Sequence, residues 1–508
     1  MTDIDTVLIA HVYAWNNTNL STRGTAHVIC NSRENTTPFK ETGCDISILS
    51  VHHHPRFLDI AAFSDTGADD MDRFIVDGLT KPDSLILQCL AADIDSTHSG
   101  DKSPDKGARD EHVSTDEGVV GRESAPQDGA EAAVKLISAL NDPKSSDFEP
   151  TVFNGTDFNK INAPQLVDAW ILRPFIAFAR SVVRVETDVV MVVHLVLYFT
   201  TSVPSAAFLF WRFSWIHGIL HSLMQFSYIG TYTLMMHQHI HQRGILSKRF
   251  AAFDLLFPYL TDPLMGHTWN SYFYHHVKHH HVEGNGPNDL SSTLRYQRDN
   301  VWHFLHYVGR FLLFILIELP LYFIRKGKPL FAFKVVLWEG AYYSSLALLL
   351  RANPKPTTFV FLLPFFFIRA GLMVGNWGQH AFIDHDDPDS DYRSSITLID
   401  VASNRHCFND GYHTSHHLNP LRHWREHPVS FLKTKDLYAS QSALVFYDID
   451  YLMITFRLLM KDYRLLARHM VPMGSQVSMS LEQLEALLES HARQFTDEEI
   501  KEKFGKTK

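Results

Sequence analysis

Long apolar stretches separated by polar turns set the pattern of the chain from about residue 187 onwards. Two of them, 189–211 and 213–236, are each long enough to cross roughly 30 Å of hydrocarbon. Three more stretches follow, and each of these contains charged side chains: 304–324, 330–350 and 357–375. Residues 250–264 form a shorter run that suits a helix lying in the membrane surface. The pattern predicts an all-α integral membrane protein, a bundle of about four spans plus interfacial helices.

The regions outside these stretches have a different character. Residues 1–95 are an acidic N-terminal region of unknown fold, and 96–160 are predicted to be a disordered linker because 96–130 hold almost no large apolar side chains. Residues 161–186 predict an interfacial amphipathic helix with Leu166, Trp170, Phe175 and Phe178 on its apolar side. Residues 187–435 form the membrane domain. Residues 436–508 predict a helical C-terminal region, in which Ser480–Gln483 reads as a capping box.

The charge distribution follows this division. Residues 1–186 carry 29 Asp and Glu against 16 Lys and Arg, whereas the whole chain has a net charge of −10, so residues 187–508 are slightly basic. This balance gives little support to nucleic-acid binding, which requires a basic face, and we expect no nucleic acid among the partners. The first residues lack the basic and apolar parts of a secretory signal, so we expect membrane insertion to use the internal segments.

Histidine is the residue whose distribution carries chemistry. The chain has 31 His, of which nine fall in 237–281 and eight in 380–427. A solvated surface would spread its histidines, whereas these are concentrated next to apolar segments. The four Cys, in contrast, form no CxxC pair and no spacing typical of a zinc site.

The spacing of these histidines predicts a metal centre. On a helix, positions i and i+3 or i+4 share a face, so three sets can each point at one place. These sets are His237 with His241, His276 with His279 and His280, and His413 with His416 and His417; His380 follows Asn376 by four residues. Imidazole suits iron, zinc, copper and nickel, and nine imidazoles imply two ions. For the carboxylate that orients a ligand from behind, we favour Asp410, with Asp262, Glu283, Asp289 and Asp384 as further candidates.

In this arrangement the sequence resembles the membrane fatty acid desaturase and hydroxylase family. The sets HxxxH, HxxHH and HxxHH match its three histidine boxes, and Asn376 and His380 match the additional ligand segment of acyl-CoA desaturases. Residues 283–289 and 376–384 are similar to alkane hydroxylases, and the segments NWGQH and FNDGYHTSHHLNP to the desaturase-like decarboxylases that form terminal alkenes. Box two holds five His in seven residues. Two other registers therefore stay open, with His275 in place of His276 or His281 in place of His279.

The resemblance, which covers roughly 187–435, implies a function. It implies a di-iron centre that activates O2 with electrons from an external donor, either a b-type cytochrome or a ferredoxin-like protein, and oxidises a fatty acyl chain. It also implies that the histidine-rich metal cap is cytosolic and that the protein resides in the endoplasmic reticulum membrane. All nine His and Asn376 are then ligands, and we assign none of them as acid or base.

Topology constrains the apolar segments. All ligands must lie on one side of the membrane, so an even number of spans must separate box two from His380, whereas three apolar segments lie between them. One of the three must lie flat, re-enter or be buried without crossing. Both intervening loops are basic, so the positive-inside rule does not choose among the segments.

The sequence leaves three functional hypotheses open. A desaturase leads, and the runner-up within the same enzyme class is a fatty acid or alkane hydroxylase or a terminal-alkene-forming decarboxylase. A His-rich membrane metal transporter is the alternative from another class. It is disfavoured because the histidines lie at the ends of the spans rather than along a path through them. Residues 1–160 are expected to be peripheral to the chemistry.

Overall fold

The chain is described from a computed structural model that covers residues 79–100, 125–153, 156–157, 163–399, 404 and 406–505. All of these residues belong to one compact unit, Asp69–Lys508. The acidic region up to residue 78 and linker residues 101–124 lie outside the described part, so the predictions made for them stay predictions.

Helices dominate the described chain up to the second histidine cluster. They are α1 Lys81–Gly100, α2 Ala125–Asn141, α3 Gln165–Val167, α4 Arg173–Val182, α5 Val189–Thr200, α6 Ser202–Trp211, α7 Trp215–Gln242, α8 Ala251–Leu264 and α9 His281–Glu283. Two π-helical segments continue them, Asp168–Leu172 between α3 and α4 and Phe273–His280 before α9, and a 3₁₀ turn covers Lys248–Phe250. A short antiparallel pair, β1 Thr151–Phe153 and β2 Thr156–Asp157, precedes α3.

Twelve further helices follow. They are α10 Val301–Arg325, α11 Pro329–Ala352, α12 Pro354–Thr357, α13 Leu363–Gln379, α14 Asp391–Ser394, α15 His413–Leu418, α16 Glu426–Lys433, α17 Lys435–Ser440, α18 Tyr451–Leu459, α19 Tyr463–Arg468, α20 Leu481–His491 and α21 Asp497–Phe504. A π-helical turn, Thr358–Leu362, joins α12 to α13, and a 3₁₀ turn covers Gly474–Ser478. Strands β3 Ile396–Ile399 and β4 Leu444–Tyr447 pair in parallel. Within the described residues, the predicted helical character is therefore confirmed apart from four short strands.

Three segments of the described chain are long and apolar enough to span a membrane: Val189–Trp211, Val301–Arg325 and Pro354–Gln379. The predicted spans at 213–236 and 330–350 lie in α7 and α11, which are long helices but are not among these three. Many of the exposed apolar side chains lie on these helices, which is the surface that a bilayer covers. These observations indicate an integral membrane protein.

Ring and charge contacts give the ends of these helices a common orientation. Asp188, just before α5, pairs with His423 at 2.8 Å, so α5 begins next to the cap formed by the C-terminal half. The Lys355 ammonium, between α11 and α13, lies over the rings of Phe213 and Trp215 at the start of α7. The turn between α6 and α7 therefore lies beside the turn between α11 and α13, and both are at the end of the bundle away from the cap.

Within the segment predicted to be an interfacial helix, residues 165–182 are helical through α3, the following π-helical turn and α4. One face is buried through Ile176, Ala179 and Val182, whereas Leu166 and Trp170 are about three-quarters exposed, at 74% and 78%. An apolar face left open in this way suits the boundary between headgroups and acyl chains.

The predicted linker over 96–160 needs correction where the structure describes it. Residues 125–141 form α2 instead, which buries Ala133, Ile137 and Leu140, and α1 extends through residue 100. The composition argument rested on the charged stretch 96–130 and missed the apolar positions at helical spacing that follow it. The two helices pack on the cap in a cluster shared with Tyr412, Phe431 and Tyr438.

The C-terminal region builds the rest of the cap. The capping box predicted at Ser480 is confirmed, since the Ser480 hydroxyl accepts from the Gln483 N–H and the Gln483 side chain accepts from the Ser480 N–H. Leu484 and Leu488 of this helix are buried against α19 and β4 in one apolar cluster. Apart from β4, the described residues from 436 to 505 are mainly helical and part of the same compact unit.

Candidate metal centre

The first histidine cluster lies at the C-terminal end of α7. His237 and His241 are one turn apart and share a face, because α-helical residues four apart lie above one another. The helix ends directly afterwards, with Arg243 in the left-handed region at φ 58°. The long helix therefore delivers both imidazoles to the edge of the cap.

The second cluster lies on a π-helical segment, which changes its register. The backbone N–H of His281 donates to the carbonyl of His276, five residues earlier, as in a π-helix. With more residues per turn than an α-helix, the face that His276 occupies is shared by His280 and His281 rather than by His279. The sequence-based register used α-helical spacing; the structure matches the alternative with His281 in place of His279.

The first group of potential metal ligands contains five histidines. Four of their Nε2 atoms form a closed ring: His237 to His276 at 2.9 Å, His276 to His281 at 3.1 Å, His281 to His416 at 2.9 Å and His416 to His237 at 3.0 Å. Four imidazole nitrogens this close to one another could serve as ligands of a single ion. His241 is the fifth member, and its buried ring nitrogens have no hydrogen-bond partner.

The second group contains four histidines, whose ligand atoms all lie within 4.8 Å of one another: His280, His380, His413 and His417. His413 Nε2 lies 3.3 Å from His380 Nε2, and the His417 Nε2 is buried without a hydrogen-bond partner. The two groups are adjacent because sequence neighbours divide between them, His280 from His281 and His416 from His417.

Three imidazoles of the second group are oriented by carboxylate or carbonyl oxygens that face their Nδ1 atoms. Asp289 Oδ2 lies 2.7 Å from His280 Nδ1, the Ser394 carbonyl oxygen lies 2.6 Å from His380 Nδ1, and Asp391 Oδ1 lies 3.5 Å from His417 Nδ1. Each contact occupies the Nδ1 edge and leaves Nε2 to face the other imidazoles, the usual arrangement behind a metal-bound histidine. Burial raises the pKa of Asp289, but the adjacent His280 outweighs it, and the pKa is held well below its usual range.

Asp410, the carboxylate that the sequence favoured, is placed differently. It accepts from the Gln379 amide at 3.3 Å, and burial raises its pKa to about 7. Asp289 was among the sequence candidates, whereas Asp391 was not. Sequence spacing could not identify Asp391, because it lies 26 positions before His417 and comes close to it only in the folded chain.

Two predicted ligands have other contacts in the structure. His279 Nε2 accepts from the Leu290 N–H at 3.1 Å, and its ring packs edge-on to Tyr322. The amide nitrogen of Asn376 donates to the Ser291 carbonyl and to the Tyr307 hydroxyl, at 2.8 and 2.7 Å. Eight of the nine predicted histidines thus lie in the two groups, with His281 as the ninth member, and the Asn376 carbonyl accepts from the His380 N–H at 3.1 Å.

The electrostatics of the groups suit metal binding. Burial lowers the pKa of His380, His413 and His416 well below the usual range, with further lowering by neighbouring histidines. These three imidazoles are therefore neutral at physiological pH and present lone pairs, the form that ligates metals. So many buried histidines at hydrogen-bonding distance, several with unpartnered nitrogens, fit metal ligation better than a hydrogen-bond network, because each neutral ring has only one N–H to donate.

A comparison with models of known protein families finds a match in the segment that carries this metal centre. Residues 197–447 match the model described as Fatty acid desaturase, and this segment carries all nine histidines. This part of the chain belongs to the membrane fatty acid desaturase family. Comparison with curated proteins and with solved structures finds no match. The desaturase domain begins inside α5 and ends with β4, so α1 to α4 and α18 to α21 lie outside the matched segment.

Membership of the desaturase family bears on the function at the level of the whole family. The family consists of oxidoreductases that act on fatty acids, and the two histidine groups are compatible with its dependence on metal. The hypothesis of a metal transporter has no comparable support, since the histidines converge on two closed groups instead of lining a path through the spans.

Proposed function

We propose that the protein is an O2-dependent membrane oxidoreductase that binds two iron ions and desaturates fatty acyl chains. The observation that carries the proposal is the division of nine histidines into two adjacent groups within a fatty acid desaturase domain. One ion would be held by His237, His241, His276, His281 and His416, and the other by His280, His380, His413 and His417. Asn376 is retained as an additional candidate ligand.

The chemistry that the bound iron supplies is the oxidation of an unactivated C–H bond with O2, which no side chain performs. The residues of the chain bind and orient the metal. Asp289 and Asp391 hold the Nδ1 edges of His280 and His417, and burial lowers the pKa of His417. The same burial excludes bulk water from the place where an oxidant would act.

The substrate that suits this arrangement is a fatty acyl lipid. The histidine groups lie at the cap end of α7 and α13, so an acyl chain extending from the bilayer between these helices would reach them. The reaction also requires two electrons from outside the chain, which we assign to a b-type cytochrome or ferredoxin-like donor. We place the cap in the cytosol and the protein in the endoplasmic reticulum membrane, on the resemblance to the family.

Two other reactions use the same chemistry and are separated by their products. A hydroxylase adds oxygen to the chain, and a decarboxylase yields a terminal alkene one carbon shorter. Mass spectrometry of the lipids and hydrocarbons of expressing cells distinguishes all three. A product with the same carbon number and two hydrogens fewer supports desaturation. A terminal alkene with one carbon fewer would show instead that the reaction is a decarboxylation.

The test compares wild type with His413→Ala and with a matched control, His98→Ala, which changes an exposed histidine on α1. We expect the wild type and the control to yield the oxidised product and to purify with iron, and His413→Ala to lose both. A product profile unchanged by His413→Ala would overturn the catalytic assignment. Zinc in the purified protein, with metal transport and no O2 consumption, would favour a transporter.

A further inference from the structure

The third histidine segment is held by an element from outside the desaturase domain. The hydroxyl of Tyr412 donates to Asp83 Oδ1 at 2.6 Å, and both side chains are buried. Asp83 lies in the first turn of α1, more than 100 residues before the matched segment 197–447 begins. Tyr412 directly precedes His413 and is the residue from which α15 starts.

The position of Tyr412 gives this contact its consequence. Its carbonyl oxygen accepts from the His416 N–H at 3.0 Å, which closes the first turn of α15. Its ring is fully buried against the apolar cluster that α1 shares with the cap. A buried hydroxyl needs a partner, and here Asp83 supplies it. Tyr412 is thus fixed at its backbone by α15 and at its ring tip by α1.

The other attachments of α1 and α2 reach the cap farther from the histidines. Lys435 pairs with Asp93 of α1, and Arg425 Nε donates to Asn141 Oδ1 of α2 at 2.8 Å. Asn141 donates in turn to the Arg425 carbonyl at 3.1 Å. These contacts secure α1 and α2 on α16 and α17, whereas the Asp83 contact reaches the residue adjacent to a potential metal ligand.

We propose that Asp83, through Tyr412, is a positioning residue for His413, His416 and His417. The proposal rests on the proposed function, because it assigns these histidines to metal. By holding the start of α15, the contact sets the rotation of a helix whose three imidazoles divide between the two groups. Through Asp83, α1 then supports the metal centre rather than being peripheral to it, contrary to the expectation from the sequence.

The experiment uses the full-length protein with iron bound and measures how fast a chelator removes the metal. We expect Tyr412→Phe and Asp83→Ala to lose iron about tenfold faster than wild type, at the low end of the effect of groups that orient metal ligands. Asp83→Asn keeps an acceptor oxygen and should largely restore retention. Asp93→Ala, which breaks an attachment of α1 away from the histidines, is the matched control and should retain iron like wild type.

A second readout separates positioning from packing. With cobalt in place of iron, the absorption bands of the metal should shift in Tyr412→Phe and Asp83→Ala and not in Asp93→Ala. The proposal is overturned if the variants lower the melting temperature but hold metal with wild-type kinetics and spectrum. If Tyr412→Phe does not fold, the pair Asp83→Asn and Asp83→Ala carries the same test. Wild-type protein that binds no iron would instead refute the proposed function.

Discussion

Asp289 Oδ2 lies 2.7 Å from the Nδ1 of His280, and both side chains are buried. The other carboxylate oxygen accepts from the backbone N–H of Ser291 at 2.8 Å, so the loop after box two fixes the carboxylate in place. This pair decides which nitrogen of His280 faces the second histidine group. It therefore couples the conformation of the loop to the metal centre.

Replacing Asp289 by Asn should weaken metal binding without unfolding the protein. The amide keeps the size of the side chain but removes the charge that orients and polarises His280, and such a change costs about 10–100-fold in metal affinity. Competition with a chelator measures the affinity. The control is Asp384→Asn, which affects a carboxylate paired with Arg393 at 3.0 Å. Equal affinities for wild type and Asp289→Asn would mean that His280 is oriented by other groups.

The register of box two predicts unequal effects for two neighbouring histidines. His281→Ala removes a member of the first group, so we expect it to lower the iron content and abolish oxidation. His279→Ala removes a ring that packs on Tyr322 and accepts from Leu290, so it should lower stability while retaining most of the metal. Elemental analysis and product profiling of both variants measure this. The reverse order of effects would restore the α-helical register.

Among the apolar segments between box two and His380, α10 is the one that we predict not to cross. It contacts the histidine-bearing segment near both ends, through Tyr307 with Ser291 and through Tyr322 with Glu283. Single cysteines at Arg295, Lys328 and Lys355, on a background without native cysteines, report sidedness through an impermeant maleimide. We expect Arg295 and Lys328 to label from one side and Lys355 from the other. Labelling of Lys328 and Lys355 from the same side would show that α10 spans.

Arg298 is expected to carry much of the stability of the cap. Its fully buried guanidinium donates to five carbonyls, those of Ala381, Thr293, Tyr296, His491 and Arg493. Hydrogen bonds from charged groups contribute about 1.5–3 kcal/mol each and do not add fully. Arg298→Lys cannot reproduce the planar fork. We expect it to destabilise the protein by about 3 kcal/mol or more in thermal unfolding, whereas Arg295→Lys, at a half-exposed site, should have little effect.

The raised pKa of Asp410 predicts that the stability of the folded protein depends on pH. Burial raises its pKa from 3.8 to about 7, so the folded protein binds the proton more tightly than the unfolded chain does. The resulting stabilisation is fully present below pH 4 and is lost as the pH rises towards 7. Asp410→Asn should therefore stabilise the protein relative to wild type more at pH 8 than at pH 5. A difference in melting temperature that is the same at both values would show that Asp410 does not titrate in this range.

The sequence was sufficient for the features that depend on local spacing. His237 with His241 and His413 with His417 are one α-helical turn apart, and the helices form as the periodicity predicts. The apolar runs locate the long helices for the same reason. The capping box at Ser480 is equally local, since its two partners are three residues apart.

The remaining features depend on backbone geometry or on distant contacts. The π-helical turn at box two moved the shared face from His279 to His281, and no residue in the segment signals it. Asp391 reaches His417, and Asp83 reaches Tyr412, only after the chain has folded. The average composition of 96–130 also concealed the end of α1 and the start of α2, because an average over a window does not show apolar positions at helical spacing.

The five hydrogen bonds of the Arg298 guanidinium have a consequence for the order in which parts of the fold form during synthesis. Two of its five acceptors belong to His491 and Arg493, more than 100 residues after Ala381, and the same guanidinium fixes the carbonyl of Ala381 next to His380. The segment that carries the histidines is synthesised first, so the Arg298 guanidinium lacks two of its acceptors until residues 491–493 have been added. The apolar helices can insert into the membrane before that point, whereas the junction next to His380 is completed only afterwards.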